Sequence, residues 1–306
     1  MAHMSMRIPH YRQECVANFM LAQPGSINLR QYALEFSDQE QIRQLEERFQ
    51  KALNKGISFE RSEEVADISR QREHEISRAL FPYRYVRYGT SIFGSARLAK
   101  DDDEFQQVKQ ISRGLVSESW IDIMTGGGPG IMEAANEGLK EGARKRNAKG
   151  KTSRARNTGL LVNLPFEEQP NAHLDIHATH ATFGTRLNEF ADRSNSSITW
   201  DGGGGSDLEN AFLFQLKQVG HLEADFPMIL RASAWEQIHD QKMRAMYHQR
   251  ITDRRKTLVS PKDSELVTFV EHPDDAIQLV LDHYTGWKRN VWSKLDDESQ
   301  QLIMTT

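Results

Sequence analysis

The sequence predicts an α/β protein built on a doubly wound parallel sheet, preceded by a helical extension. Three observations predict it. From about residue 85 to 250, short apolar segments alternate with longer segments of helical period. Two of the apolar segments run straight into glycines, at "WIDIMTGGGPG" and "SSITWDGGGGS". Each glycine run leads directly into a helix-forming stretch. Strands alternating with helices build right-handed βαβ units and a parallel sheet covered on both faces.

The elements follow in order. Residues 1–83 read as a helical extension. Its clearest helix is "SDQEQIRQLEERFQKALNKG", with Ser37 as N-cap, Glu40 completing a capping box, Ile42, Leu45, Phe49 and Leu53 as the apolar stripe and Gly56 as the stop. A second, charged helix is expected over 60–79. The α/β core is expected over 84–250. It begins with the strand "YVRYGTSIFGSAR" and the helix "DEFQQVKQISRGLVSES". The first glycine strand and the helix "IMEAANEGLKEGARK" come next, then the strand "TGLLVNLP", closed by Pro165. "DIHATHATF" reads as a strand, "TRLNEFADRS" as a short helix, and the second glycine strand leads into the helix "DLENAFLFQLKQVG". The strand "FPMILRA" precedes a helix with Ser233 as N-cap. Over 251–306 the strand "ELVTFVEH" and a helix at about 273–288 are expected to pack back on the core. The whole is a Rossmann-like architecture.

The bulk numbers exclude several classes. A net charge of -4 provides no global basic field for nucleic acid. The lone thiol, Cys15, fits a reducing compartment. No apolar run approaches the ~20 residues that span a bilayer, and residues 1–6 do not read as a signal peptide. A cytoplasmic protein with no membrane partner is expected.

In open parallel sheets, ligands bind at the carboxyl ends of the strands, where the topology reverses. The turns at Gly126, Gly127, Gly128 and Gly130, and at Gly202, Gly203, Gly204, Gly205 and Ser206, stand at such ends. Glycine lets a ligand approach the main chain, and a helix N-terminus offers free N–H groups to an anion, which together suit a phosphate. The alternative is a tight connection without a ligand. A dinucleotide fingerprint fails because Ile131 stands where its third glycine belongs. Gly150, Lys151 and Thr152 imitate the end of a P-loop, but Lys145 occupies the position of its first glycine.

"FGSAR", "TGGGPGIMEAANEG", "NLPFEEQPN" and "DGGGGSDLENAF" stand in this order between about residues 88 and 232. Together they resemble the Lonely Guy (LOG) family, once labelled lysine decarboxylases. The resemblance implies a Rossmann-like fold, a homodimer with its site near the subunit contact, and phosphoribohydrolase activity. That activity splits nucleoside 5'-monophosphates, cytokinin nucleotides among them, into free base and ribose 5-phosphate. The family's second motif, Pro-Gly-Gly-x-Gly-Thr-x-x-Glu, reads here from Asp201 to Glu209, with Asp201 in place of proline and Ser206 in place of threonine. Arg186 matches the arginine of an Arg-Lys pair, and Leu187 replaces the lysine.

Glu209 is the candidate to support an oxocarbenium-like transition state and to activate water; a carboxylate that merely complements the helix dipole is the alternative. Arg186 would hold the phosphate or the ribose hydroxyls. Glu133 would bond a sugar hydroxyl, or only favour its helix N-terminus. Ser95 and Arg97 are candidates for base or phosphate contacts, and Asn171 is a further one. No metal or organic cofactor is implied: His173, His177 and His180 have poor metal geometry on a strand, and no Schiff-base lysine context is recognisable. The basic run "RKRNAKGKTSRAR" reads as a solvated loop, with a mobile lid or an anion-steering patch as alternatives. A nucleotide sensor without turnover and a base or sugar transferase are the competing functions.

Overall fold

The computed structural model describes residues 87–162, 169–248, 250–251, 256–257 and 259–294. The expected helices at 37–56 and 60–79, Cys15 and Pro165 lie outside them.

Seven parallel strands form one sheet in the order β4-β3-β2-β1-β5-β6-β9. They are β1 (Gly89–Phe93), β2 (Asp122–Thr125), β3 (Asn157–Val162), β4 (Ile176–His180), β5 (Ser196–Thr199), β6 (Met228–Arg231) and β9 (Thr268–Val270). Between β6 and β9, β7 (Arg250–Ile251) and β8 (Lys256–Thr257) form a small antiparallel pair. The helices are α1 (Asp103–Glu118), α2 (Ile131–Ala148), α3 (Phe183–Arg193), α4 (Gly204–Gln218), α5 (Ala232–His248) and α6 (Pro273–Asn290). This is the doubly wound Rossmann-like fold the alternation predicts.

The central strands β1, β2, β3 and β5 are buried at every position. A parallel sheet covered on both faces requires this, and it explains why they read as apolar or small-residue runs without alternation. Neighbouring residues still point to opposite faces. Ile92, Ile123 and Ile198 join the core under α1, α2 and α6, whereas Phe93, Met124 and Leu160 join the core under α3, α4 and α5. The C-terminal strand β9 pairs with β6 and ends the sheet, and α6 lies against α1, where Gln110 bonds Asp274 at 3.0 Å.

Two local expectations are corrected. Ser233 is not the N-cap of α5, because the helix begins one residue earlier at Ala232. Glu271 caps it from β9's end instead, accepting from the Ser233 N–H and hydroxyl at 2.9 Å each. His173 does not share β4 with His177, since the strand starts at Ile176.

Candidate functional site

Strand order reverses between β1 and β5, which opens a crevice at their carboxyl ends. The loops around it are tied backbone to backbone. The Ser95 N–H donates to Asp201 O at 2.7 Å, and the Ile131 N–H donates to Ser95 O at 2.9 Å. Ser95 therefore joins the loop after β1 to both glycine turns. Its hydroxyl accepts from the Arg97 N–H at 3.1 Å, and the Arg97 side chain lies exposed beyond it.

The first turn takes its shape from its own backbone. Gly127 and Gly130 have φ of 80° and 65°, and a Cβ at Gly130 would stand 2.3 Å from Ser95 O. Amide side chains prop the turn from below. Thr125 Oγ1 donates to Asn136 Oδ1 at 3.0 Å, and Asn171 Nδ2 donates to the same oxygen at 2.9 Å. Asn171 Nδ2 also reaches Gly127 O and Gly128 O, at 3.1 and 3.0 Å. Asn136 Nδ2 donates to Asn157 Oδ1 at 2.9 Å.

The second turn repeats the strut. Thr199 Oγ1 donates to Asn210 Oδ1 at 2.6 Å, across the same eleven-residue separation that joins Thr125 to Asn136. Sequence reasoning missed Thr125, Asn136, Asn157, Thr199 and Asn210. The matching interval from strand-end threonine to helix asparagine was the available signal. Gly204 and Gly205 open α4, so the glycine run is an ordered strand-to-helix turn. Gly202 to Gly205 are exposed; Ser206 is buried, its hydroxyl packed beneath Gly202.

Arg186 on α3 and Glu209 on α4 meet between the turns. Arg186 Nη2 donates to Glu209 Oε1 at 2.8 Å, and the two residues are only 9% and 7% exposed. Arg186 Nη1 lies 3.6 Å from the point a Cβ on Gly126 would occupy, so one guanidinium borders the first turn and holds the acid that follows the second. Phe183 and Phe190 flank it, 5.1 and 5.8 Å from ring centroid to Cζ. Burial pushes the Glu209 carboxyl up to about 7, with the Arg186 charge opposing, and burial likewise lowers the Arg186 pKa. The result is an acid poised near neutrality beside a fixed cation, able to hold or release a proton.

Asp201 does not leave a bare carboxylate at the second turn. It pairs with Arg231, which also reaches Glu104 and Glu271 at 3.3 and 3.2 Å and lies over the Trp200 ring at 5.5 Å. Glu133, in the first turn of α2, is engaged by Lys100 at 2.8 Å and lies 3.8 Å from His173 Nε2. The structure thus gathers Arg186, Glu209 and Gly126, and separately Ser95 with Gly130, while Glu133 and Arg97 have other neighbours. Leu187 is buried with the apolar side chains.

Other sequence features fall elsewhere. His180 is fully buried with its Nε2 3.0 Å from Glu189, which also receives Arg193 at 2.8 Å. Among the described residues, no three His, Cys, Asp or Glu groups are placed to hold a metal, and no helix is long and apolar enough to cross a membrane. The basic run returns to the amino ends of the strands, opposite the crevice. Arg156 N–H donates to Asp122 Oδ1 at 2.9 Å and Arg154 O accepts from Arg87 at 2.8 Å, which excludes a lid over the site.

Fold and site together define a doubly wound α/β protein with two glycine turns and a buried Arg–Glu pair at its switch point. No family model matches the chain, and no curated protein matches it. Among solved structures it is similar to the molybdenum cofactor carrier protein of Chlamydomonas reinhardtii. That match has 18% identity over 65% of this chain and 99% of that one, with a TM-score of 0.45. It is also similar to the molybdenum cofactor binding protein of the phototrophic bacterium Rippkaea orientalis, at 17% identity over 64% of this chain and 94% of that one, with a TM-score of 0.42.

Proposed function

We propose that the protein hydrolyses the N-glycosidic bond of a nucleoside 5'-monophosphate in the cytoplasm, giving free base and ribose 5-phosphate. The observation that carries this reading is the buried Arg186–Glu209 pair set between the two glycine turns. The 5'-phosphate would lie on the exposed glycines and the N-terminus of α4, where free N–H groups favour an anion. Arg186 would direct Nη1 toward that anion while Nη2 fixes Glu209. The C1'–N bond breaks with its electron pair leaving on the base, which takes up a proton. Water adds to C1' and passes a proton to the Glu209 carboxylate, whose charge also stabilises the oxocarbenium-like transition state. No metal or organic cofactor enters this scheme. The LOG resemblance supports the same reaction and implies a homodimer, which sedimentation would test.

The test is incubation of the full chain with AMP, GMP, CMP, UMP and isopentenyladenosine monophosphate, following free base by chromatography, with Glu209→Gln in parallel. Release that Glu209→Gln abolishes is the expected result. A second reading, nucleotide binding without turnover, draws on Leu187, an apolar buried residue where the resemblance has lysine. It predicts a raised melting temperature with these nucleotides and no base released.

A further inference from the structure

Phe183 opens α3 three residues before Arg186, and it is 43% exposed. Isolated apolar side chains on a surface are ordinary and by themselves mean little. The place of this one sets it apart. It is the only aromatic ring among the exposed large apolar side chains of the described residues. Its ring centroid stands 5.1 Å from Arg186 Cζ, so it packs against the guanidinium that holds Glu209. Core packing does not account for it. Leu187, Phe190 and Ala191 carry the buried apolar face of α3, and Phe190, the second ring against the same guanidinium, is 1% exposed.

The sheet order gives the ring a direction. Helix α4 starts from β5 and α3 starts from β4, on opposite sides of β1. The Arg186–Glu209 contact bridges the two helices, and Phe183, just past the carboxyl end of β4, lies on the side away from the second glycine turn. The crevice thus presents in order exposed glycines, an arginine–glutamate pair and an aromatic ring. A nucleotide presents in order a phosphate, a sugar and a flat base. Space beside the ring is open: Gly184 adds no side chain, and a Cβ there would meet only Thr182 Oγ1, at 3.8 Å. The flanking hydroxyls are engaged in capping α3. Thr182 Oγ1 accepts from the Thr185 N–H at 3.3 Å, and Thr185 Oγ1 donates to Thr182 O at 3.1 Å. What this corner offers a ligand is therefore a π face.

We propose that Phe183 is the base-stacking residue of this site and makes it selective for purine nucleotides. The inference rests on the nucleotide reading of the Arg186–Glu209 site and adds the class of base. An aromatic side chain holds any base by its π face, and preference among bases follows stacking strength. Adenine and guanine differ at their edges, which neither flanking hydroxyl reads, and share a two-ring face. Recognition by stacking therefore separates purines from pyrimidines, and does not separate AMP from GMP.

The test uses the full chain carrying Glu209→Gln, so that nucleotides bind without turnover, with and without Phe183→Ala. Calorimetry follows AMP, GMP, CMP, UMP and ribose 5-phosphate, which lacks a base. AMP and GMP should bind alike, and several times tighter than CMP and UMP. Phe183→Ala should weaken AMP about tenfold, the measure of one lost base–aromatic stack, and leave ribose 5-phosphate unchanged; Phe183→Trp should retain AMP. The exposed position lets both variants fold, as melting curves would verify. AMP affinity that survives Phe183→Ala, or CMP and UMP bound as tightly as AMP, overturns the inference and leaves the Arg186–Glu209 site standing. Equal losses for AMP and ribose 5-phosphate overturn it too, since Phe183 would then only brace Arg186. So does a dimer that Phe183→Ala dissociates, because a second copy of the chain would then cover the ring. If the wild-type chain does not bind ribose 5-phosphate and the Glu209→Gln chain does not bind AMP, the nucleotide reading itself falls, and this inference with it.

Discussion

Replacing Glu209 with Gln removes a proton-binding group that folding has displaced. Burial moves its carboxyl from 4.5 to about 7 against the opposing charge of Arg186. At about 1.4 kcal/mol per pH unit, that displacement comes to about 3 kcal/mol. The unfolded chain gives up this proton near 4.5, and the folded chain keeps it until near 7. Between those values the folded state binds more protons, so raising the pH erodes stability; below the window nothing is lost, and above it the loss is complete. Glutamine cannot titrate, and the cost of leaving Arg186 against a neutral amide does not depend on pH. The wild-type chain should therefore lose about 3 kcal/mol relative to Glu209→Gln as pH rises from 4.5 to 8. Urea unfolding of both proteins, followed by tryptophan fluorescence at half-unit steps, measures this directly. A difference that stays flat across the range would refute the reasoning, since Arg186 would then fully offset the desolvation of the acid.

The same titration places the rising limb of kcat/KM near pH 7 if the Glu209 carboxylate accepts the proton from water, and a pH–rate profile locates it. Arg231→Ala leaves Asp201 unpaired at the second turn. Binding of AMP, by calorimetry, should weaken about tenfold through like-charge repulsion, and Asp201→Asn in that background should restore it. Asn136→Ala strips the partner from Thr125 and Asn171 and empties part of the strut, at a cost of about 2–3 kcal/mol in urea unfolding. Gly130→Ala should lower stability by about 2 kcal/mol or more, because its φ is positive and its Cβ would meet Ser95 O. Gly205→Ala should leave stability equal or higher, yet weaken AMP binding if the second turn cradles the phosphate.

The strands and the two turns were legible because glycine following an apolar run is a local signal. Arg186 and Glu209 were legible only as separate motif positions; no local rule joins α3 to α4, and their contact depends on how those helices sit on the sheet. Asp201 was legible only as a replacement for proline, because its partner, Arg231, is thirty residues away on the next strand. Ser233 fitted an N-cap by composition, but the real cap, Glu271, arrives from β9. The position of the basic run followed from topology alone. A helix that begins at the carboxyl end of β2 must end near the amino end of β3, so the loop after it cannot cover the crevice.

The two glycine turns differ in what requires their glycines, and the difference bears on where the proposed phosphate would contact the backbone. In the first, the fold itself demands glycine at Gly127 and Gly130, which need positive φ, and a Cβ at the second of these would stand 2.3 Å from Ser95 O. Those residues would be glycine whether or not anything bound there. At Gly203, Gly204 and Gly205 neither reason applies. None has positive φ, and a Cβ at any of them would meet no atom within 4 Å. Two of them stand in the first turn of a helix, where alanine would add about 0.5–1 kcal/mol. Propensity and packing among the described residues both favour a larger residue at these positions. An approach to the main chain from outside the described residues would give glycine a reason at these positions, and this is the ground for proposing the phosphate at the second turn, with the first as its wall.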